Sequence, residues 1–448
     1  MPLRDLLVTA IVIGSLPVIL YRPVIGVLVW SWIGYMNPHR LTWGFAYDLP
    51  LAQVIALATL AGIAFTAGRN RAIPRDGLVY ILIAFNLWMV VTTLFAIYPD
   101  EAWIKLEKVL KIQVMTFITL MLVKEWRYLH ALVWVIVISL GFYGVKGGIF
   151  TLLSGGQYSV LGPPGTFFEG NTTVALALLM TLPLMRYLRL ESRNRWVRLG
   201  LLASMGLTAI AILGTYSRGA LLGAIAMGMY WVWKTPHRGR FVVGGLFVAM
   251  VAIPLFPQQW YERMETVQNY EEDQSAMGRI HAWRFTLALV AAKPITGGGF
   301  EPYTRETYDL FAPEVSRQAP RPQGPHSIYF KPLGEHGWPG LLLFLGTGLF
   351  AFRRCARIIR ETRDREELRW AGNLAATIQV SLVGFAASGA FLGMTYFDLY
   401  YHLLALLVVI PVIIQAQPAG EATPAEPGGE RGAERRAQVP AARPGRPA

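Results

Sequence analysis

Thirteen apolar runs, each set off by charged or Pro/Gly-rich breaks, dominate the sequence and leave few folds open to it. They fall near 6–20, 23–36, 50–67, 77–95, 106–123, 128–150, 172–188, 197–215, 219–233, 241–256, 328–352, 372–396 and 402–415. A helix needs about 20 apolar residues to cross a bilayer. The first two runs hold only about 15 residues each, so twelve crossings is as fair a reading as thirteen. Hydrophobic residues make up 54% of the chain and charged residues 15%, where about 25% charged is ordinary for soluble domains. A water-soluble surface cannot be built from that supply, and the expectation is an all-α integral membrane protein. The apolar run after Arg4 lacks a small-x-small cleavage site and reads as a retained first span. The single cysteine, Cys355, excludes an intramolecular disulfide and any multi-cysteine metal site.

Two stretches interrupt the rhythm. Residues 257–327 form a 71-residue polar segment, and 416–448 form a tail with 9 Ala, 6 Pro and 5 Gly and no aromatic residue, a composition that predicts disorder. The net charge of +13 gains meaning only once the charges are placed. Alternate short loops and the tail together carry 25 Lys and Arg, whereas Arg40, Lys105 and Lys146 are the main cations on the opposite side. The positive-inside rule then puts the tail in the cytoplasm and the 257–327 loop outside. Within that loop Ser275–Lys293 has helical spacing, with Ile280, Trp283, Leu287 and Val290 at steps of three and four. Ser275 reads as its N-cap, and Pro294 with Gly297-Gly298-Gly299 as its end. An amphipathic helix along the outer membrane boundary is expected.

Three ionisable residues on the outer side invite a chemical reading, because charge near hydrocarbon is costly. Arg218 opens a span after Thr215-Tyr216-Ser217; Arg279 lies one turn before Trp283; His326 precedes the span that holds Glu335. Residue by residue, a plain structural role is also open. Arg218 suits an interfacial anchor, Arg279 a solvated helix face, and His326 a hydrogen-bonded loop position. Together they suggest one chemistry. Two guanidiniums offer planar donor forks suited to a diphosphate, and a histidine beside them is held neutral, available as a base near pH 7. Lys105 and Lys108, on one helical face, are further donor contacts, with Glu101 and Glu107 as alternative partners for them; Lys146 and Arg40 are weaker ones. No Asp-x-Asp of the kind used in metal-dependent glycosyl transfer is found at a membrane surface, nor are HExxH, a P-loop or a G-x-S-x-G elbow. Gly297-Gly298-Gly299 follows a helix and opens none, so it is not a phosphate loop. Neither a metal nor another cofactor is expected.

The runs TYSRGALLG, GRIHAWRFTLALVAAKPITGGGF and HSIYFKPLGEHGWPGLLLF, in that order across roughly 170–400, resemble the shared core of the O-antigen ligase and O-antigen polymerase superfamily. The N-terminal part, with MNPHRLTWGFAYDLP and FYGVKGGIFTLLSGGQYSVLGPPGTFFEGN, resembles the exosortase-associated O-glycosylation ligase branch. The resemblance implies about twelve transmembrane helices in a GT-C-like arrangement, in the bacterial inner membrane with a periplasmic active site. It divides the chain into an N-terminal transmembrane section, 1–168, a core, 169–415, and the tail. It implies a glycan carried on undecaprenyl diphosphate, transferred without metal and with inversion, and no nucleic-acid partner. Arg218 and Arg279 match the diphosphate-binding arginines, and His326 matches the histidine that activates the acceptor hydroxyl. The expected acceptor is a sugar of lipid A–core. A protein hydroxyl, as in the O-oligosaccharyltransferases, or a second lipid-linked repeat unit, as in the polymerases, are the alternatives. A secondary transporter is a more distant one: transporters favour midplane sites in related halves, and no internal repeat is evident here.

Overall fold

The computed structural model of the chain describes residues 3–66, 72–235, 274–319 and 321–416, with isolated positions between 236 and 273. The apolar run near 241–256, the start of the long loop and the tail after Ala416 lie outside the described residues.

Among the described residues the fold is all helical, without strands. The helices are α1 (Leu3–Tyr21), α2 (Pro23–Met36), α3 (Leu51–Phe65), α4 (Gly77–Leu94), α5 (Pro99–Leu122), α6 (Trp126–Leu153), α7 (Asn171–Glu191), α8 (Arg195–Gly214) and α9 (Arg218–Lys234). After the gap come α10 (Gln274–Ala292), α11 (Arg305–Phe311), α12 (Pro313–Gln318), α13 (Phe330–Glu361), α14 (Arg369–Gly389) and α15 (Asp398–Ala416). Seven of these are long and apolar enough to cross a membrane, and α2 and α3 are shorter apolar helices. The chain is a multi-pass membrane protein.

Burial sorts the helices. Those that are apolar on every side can sit either in lipid or at the centre. Helices α7 and α15 take the centre: Val174–Met180 and Leu399–Ile410 are unbroken buried runs. By contrast α1 and α8 leave most of their apolar surface facing outward. Small residues set the close approaches, as expected where dispersion rather than the hydrophobic effect drives helix association. Gly144 and Gly148 of α6 lie against α8, where a Cβ on Gly148 would stand 2.2 Å from the Leu207 carbonyl oxygen. Any larger residue there forces the two helices apart.

The loop helix is present as expected, with two differences. Ser275 lies within α10 instead of capping it. Its buried residues are His281, Ala282, Phe285, Thr286, Leu289 and Val290, while Leu287 is half exposed. Phe285 and Leu289 pack with Tyr308, Ala312 and Ala319 from α11 and its surroundings, with Phe285 stacked on Tyr308 at 3.9 Å between ring centroids. The helix therefore serves as the core of a small separate cluster that also leans on α13. Of the expected stripe Val290 is buried, Ile280 and Trp283 are partly buried and Leu287 is exposed, so tertiary partners rotate the inner face toward Phe285 and Leu289.

Candidate active site

The turn between α8 and α9 is tied down from several sides. The Thr215 hydroxyl donates to the Ile212 carbonyl at 2.6 Å, and Asn171 and Ser159 donate to the Thr215 carbonyl at 2.9 and 3.2 Å. Tyr216 adopts a left-handed φ of 55°, and its hydroxyl donates to the Gly156 carbonyl. Ser217 then caps α9, accepting from the Ala220 N–H at 3.2 Å. This makes Arg218 the first residue of α9. A cation at a helix N-terminus opposes the macrodipole, so the position makes electrostatic sense when an anion shares it.

Arg279 lies half buried on α10. One turn on, the Trp283 indole N–H donates to the Pro325 carbonyl at 2.8 Å, which fixes the residue before His326. The Trp283 ring stacks on Phe330 at 4.9 Å and lies 6.3 Å from Phe391. On the far side of Phe391 is the start of α9: a Cβ on Gly219 would stand 3.5 Å from the Phe391 Cβ. Contacts thus run from Trp283 of α10 to Pro325, next to His326, and through Phe391 to Gly219, next to Arg218. His326 holds a left-handed φ of 44° and is followed by Ser327, whose Oγ accepts from the Tyr329 N–H at 3.2 Å and starts α13. The imidazole is exposed, yet its pKa is lowered by desolvation first, then by Arg279 and Lys331, with Glu301 opposing. All but the last of these influences favour the neutral imidazole.

Beside His326 runs a partly buried ionic chain that sequence reasoning missed. Lys105 of α5 meets the Glu301 carboxylate at 2.9 Å, and Lys331 of α13 meets the same oxygen at 3.0 Å. Lys331 also lies 3.7 Å from Glu335, which is fully buried. The Tyr396 hydroxyl donates to Glu335 at 2.5 Å and lies 2.8 Å from the His336 ring, which in turn pairs with Thr92 at 2.7 Å. Burial alone would raise the Glu301 carboxyl, but Lys331 and Lys105 outweigh it and hold it at about 2. The chain shares a wall with the histidine: a Cβ on Gly393 would stand 3.7 Å from the His326 Cα and 3.8 Å from the Lys331 Cδ.

Gly297-Gly298-Gly299 delivers Glu301 to that place. Helix α13 is broken at Gly337, with φ 67° and ψ −168°, which leaves backbone groups of its first turns without helical partners. The glycine loop supplies substitutes. The N–H groups of Gly298 and Gly299 donate to the carbonyls of Gly334 and Glu335 at 2.9 and 3.0 Å, and the Trp338 N–H donates to the Pro294 carbonyl at 3.0 Å. A Cβ on Gly297 would fall 2.5 Å from the Gly334 oxygen, and one on Gly337 only 2.2 Å from the Ile295 oxygen. Glycine is required for this approach.

The other candidate cations divide. Lys105 reaches the ionic chain, so its partner is Glu301 and not Glu101 or Glu107; Glu107 pairs instead with Lys111 at 2.6 Å. Lys108 is exposed beside Glu107. Lys146 is exposed and lines a separate groove of roughly 750 Å³ between α6 and α8. Arg40 lies over Tyr47 at 4.5 Å and bridges Asp48 at 3.5 Å. No contact joins these three to the surroundings of His326 among the described residues. The Lys331–Glu335 pair had a legible signal, an i, i+4 spacing of opposite charges; Glu301 had none.

A search of curated proteins found no match to the chain. Residues 3–193 match a family described as of unknown function, DUF5935, and residues 203–345 match the family described as O-antigen ligase. The second match contains Arg218, Arg279, Glu301, His326, Lys331 and Glu335. The match over residues 203–345, in a chain of membrane-spanning helices, supports the O-antigen ligase and polymerase superfamily.

Proposed function

We propose that the chain is an O-antigen ligase, a GT-C-like, metal-independent inverting glycosyltransferase of the bacterial inner membrane. It takes a polysaccharide from undecaprenyl diphosphate at the periplasmic face and transfers it to a sugar hydroxyl of lipid A–core. The orientation rests on the 25 Lys and Arg of the alternate loops and tail. The observation that supports the reading is the run of contacts that joins Trp283, one turn after Arg279, to Pro325 beside His326 and, through Phe391, to Gly219 beside Arg218.

In this reading Arg218, aided by the N-terminus of α9, and Arg279 hold the diphosphate. His326 accepts the proton of the acceptor hydroxyl as that oxygen attacks the anomeric carbon. The bond from that carbon to the phosphate oxygen breaks, and the two guanidiniums stabilise the charge that collects on the leaving diphosphate. Attack from the face opposite the leaving group inverts the anomeric configuration. The proton on His326 then passes to solvent or to the departing diphosphate.

The test is deletion of the gene in its host, complementation with wild type or with His326→Ala, and electrophoresis of the surface polysaccharide. The ligase reading predicts loss of long-chain lipopolysaccharide with polymer of normal length retained on the lipid carrier, restored by wild type and not by His326→Ala. Loss of chain length alone would make the chain a polymerase. Intact lipopolysaccharide with unglycosylated periplasmic proteins would make it a protein O-oligosaccharyltransferase.

A further inference from the structure

The ionic chain beside His326 has a fixed half and a removable half. In the fixed half Glu335 is fully buried and bound by Lys331 and Tyr396, with His336 and Thr92 behind it. Breaking it strands a carboxylate in the protein interior. Glu301 is different. Its side chain is 40% exposed, although both lysines that it bridges are more buried, Lys105 at 28% and Lys331 at 13%. It stands on a left-handed backbone, φ 53°, held by its own N–H donating to Glu335 at 3.2 Å. If the Glu301 carboxylate swings away, Lys331 keeps Glu335, and the two pairs that are lost, Lys105–Glu301 and Lys331–Glu301, share a partly exposed carboxylate that water can solvate.

The charge of the ligand points the same way. A sugar-bearing lipid diphosphate carries two negative charges, and Lys105 and Lys331 are two cations that share one partly exposed carboxylate oxygen. Once the glycan has left, the diphosphate gains a further ionisable oxygen and binds such a cluster more tightly. A site of this kind needs a means of letting its product go.

We propose that Glu301 is an exchangeable counter-ion: it occupies Lys105 and Lys331 in the empty site, yields them to the diphosphate, and on its return competes with the spent lipid diphosphate and hastens its release. The inference rests on the reading of Arg218 and Arg279 as diphosphate ligands. It assigns Glu301 no contact with the reacting atoms, so it is a regulatory residue of the binding site. Loss of its negative charge strengthens diphosphate binding instead of weakening it, the reverse of what a purely structural salt bridge would do.

The experiment measures farnesyl diphosphate binding to the purified full-length protein in nanodiscs, for wild type, Arg218→Gln, Glu301→Gln and Glu301→Asp. Wild type binds, Arg218→Gln loses binding, and Glu301→Gln binds about tenfold tighter, the scale of one unscreened neighbouring charge. Glu301→Asp keeps the charge on a stem one methylene shorter, preserves the fold should Glu301→Gln not, and binds about threefold tighter because its bridges are weakened. Unchanged or weaker binding in either folded Glu301 variant, with Arg218 dependence intact, overturns the counter-ion role. Binding in Arg218→Gln equal to wild type instead overturns the site reading beneath it. In a transfer assay the same role predicts that Glu301→Gln slows in the cycles after the first, as expected when product release is limiting.

Discussion

The two ends of the helix bundle use charge in opposite ways. At the end that holds His326, the cations of α5 and α13 are bound by carboxylates from distant segments: Lys105 and Glu301 are brought to 2.9 Å, and Lys331 anchors a fully buried Glu335. At the basic end, around 353–369, the usual partner is a near neighbour in solvent. Arg365 bridges Glu367 and Arg369 bridges Glu366, with every side chain about half exposed or more. Arg354, which bridges Asp76 at 2.6 Å below the surface, is the exception, since Asp76 also caps α4. At the basic end the number of charges matters, because it is summed by the membrane during insertion. At the His326 end the position of each charge matters, because partners and substrate must meet it at bonding distance.

This contrast can be broken at several points, the largest first. His326→Ala is expected to lower transfer by about 10²–10⁴-fold, the usual contribution of a positioned base, with unchanged insertion and melting temperature. Quantified transfer in membranes with matched protein levels checks it. Lys331→Met is expected to destabilise the fold by about 3–5 kcal/mol, because Glu335 is left buried without its cation. Adding Glu335→Gln to that variant should recover a large part of the loss, measurable as a melting temperature in detergent. Arg365→Ala, its counterpart at the basic end, should change stability by no more than about 1 kcal/mol. If Lys331→Met and Arg365→Ala melted alike, the distinction between the two ends would be lost.

The pH profile sharpens the same comparison. His326 must be neutral to accept a proton, so activity falls as pH drops through its pKa. That pKa lies below the ordinary 6.5 because of desolvation and the charges of Arg279 and Lys331. Activity should therefore persist below pH 6.5. Removing one cation with Arg279→Gln should shift the acid limb of the residual activity upward, whereas Lys108→Gln, on the exposed side of α5, should leave it in place. Glu301 obeys the opposite sign. Its folded pKa of about 2 lies below the ordinary 4.5, so its stabilising contribution is complete above pH 4.5 and vanishes as pH falls toward 2.

Much of the fold was legible because its rules are local. Span limits follow hydropathy, the break after Thr215-Tyr216-Ser217 follows capping chemistry, and Arg218 falls where that cap puts it. Residues 274–292 were legible as a helix, but their inner face only in part: Val290 is buried as its spacing suggests, whereas Phe285 and Leu289 are chosen by Tyr308 and Ala312, which periodicity within the segment does not register. The trio of Arg218, Arg279 and His326 emerged from residue type and order, with the resemblance supplying their roles. Glu301 was invisible for a different reason. It reaches Lys105, nearly two hundred positions earlier, only because a glycine loop docks on a helix broken at Gly337. That is a property of the assembled backbone, and no local signal encodes it.

The central claim is that one anion site lies between the N-terminus of α9 and α10, facing His326. A cryo-EM structure of the protein with a lipid diphosphate bound tests it most directly. The expected map places the phosphates within hydrogen-bonding distance of Arg218 and Arg279, with His326 facing the first carbon beyond them. Phosphates seated elsewhere, for example among Arg186 and Lys234 in the groove between α7, α9 and α14, would contradict the account.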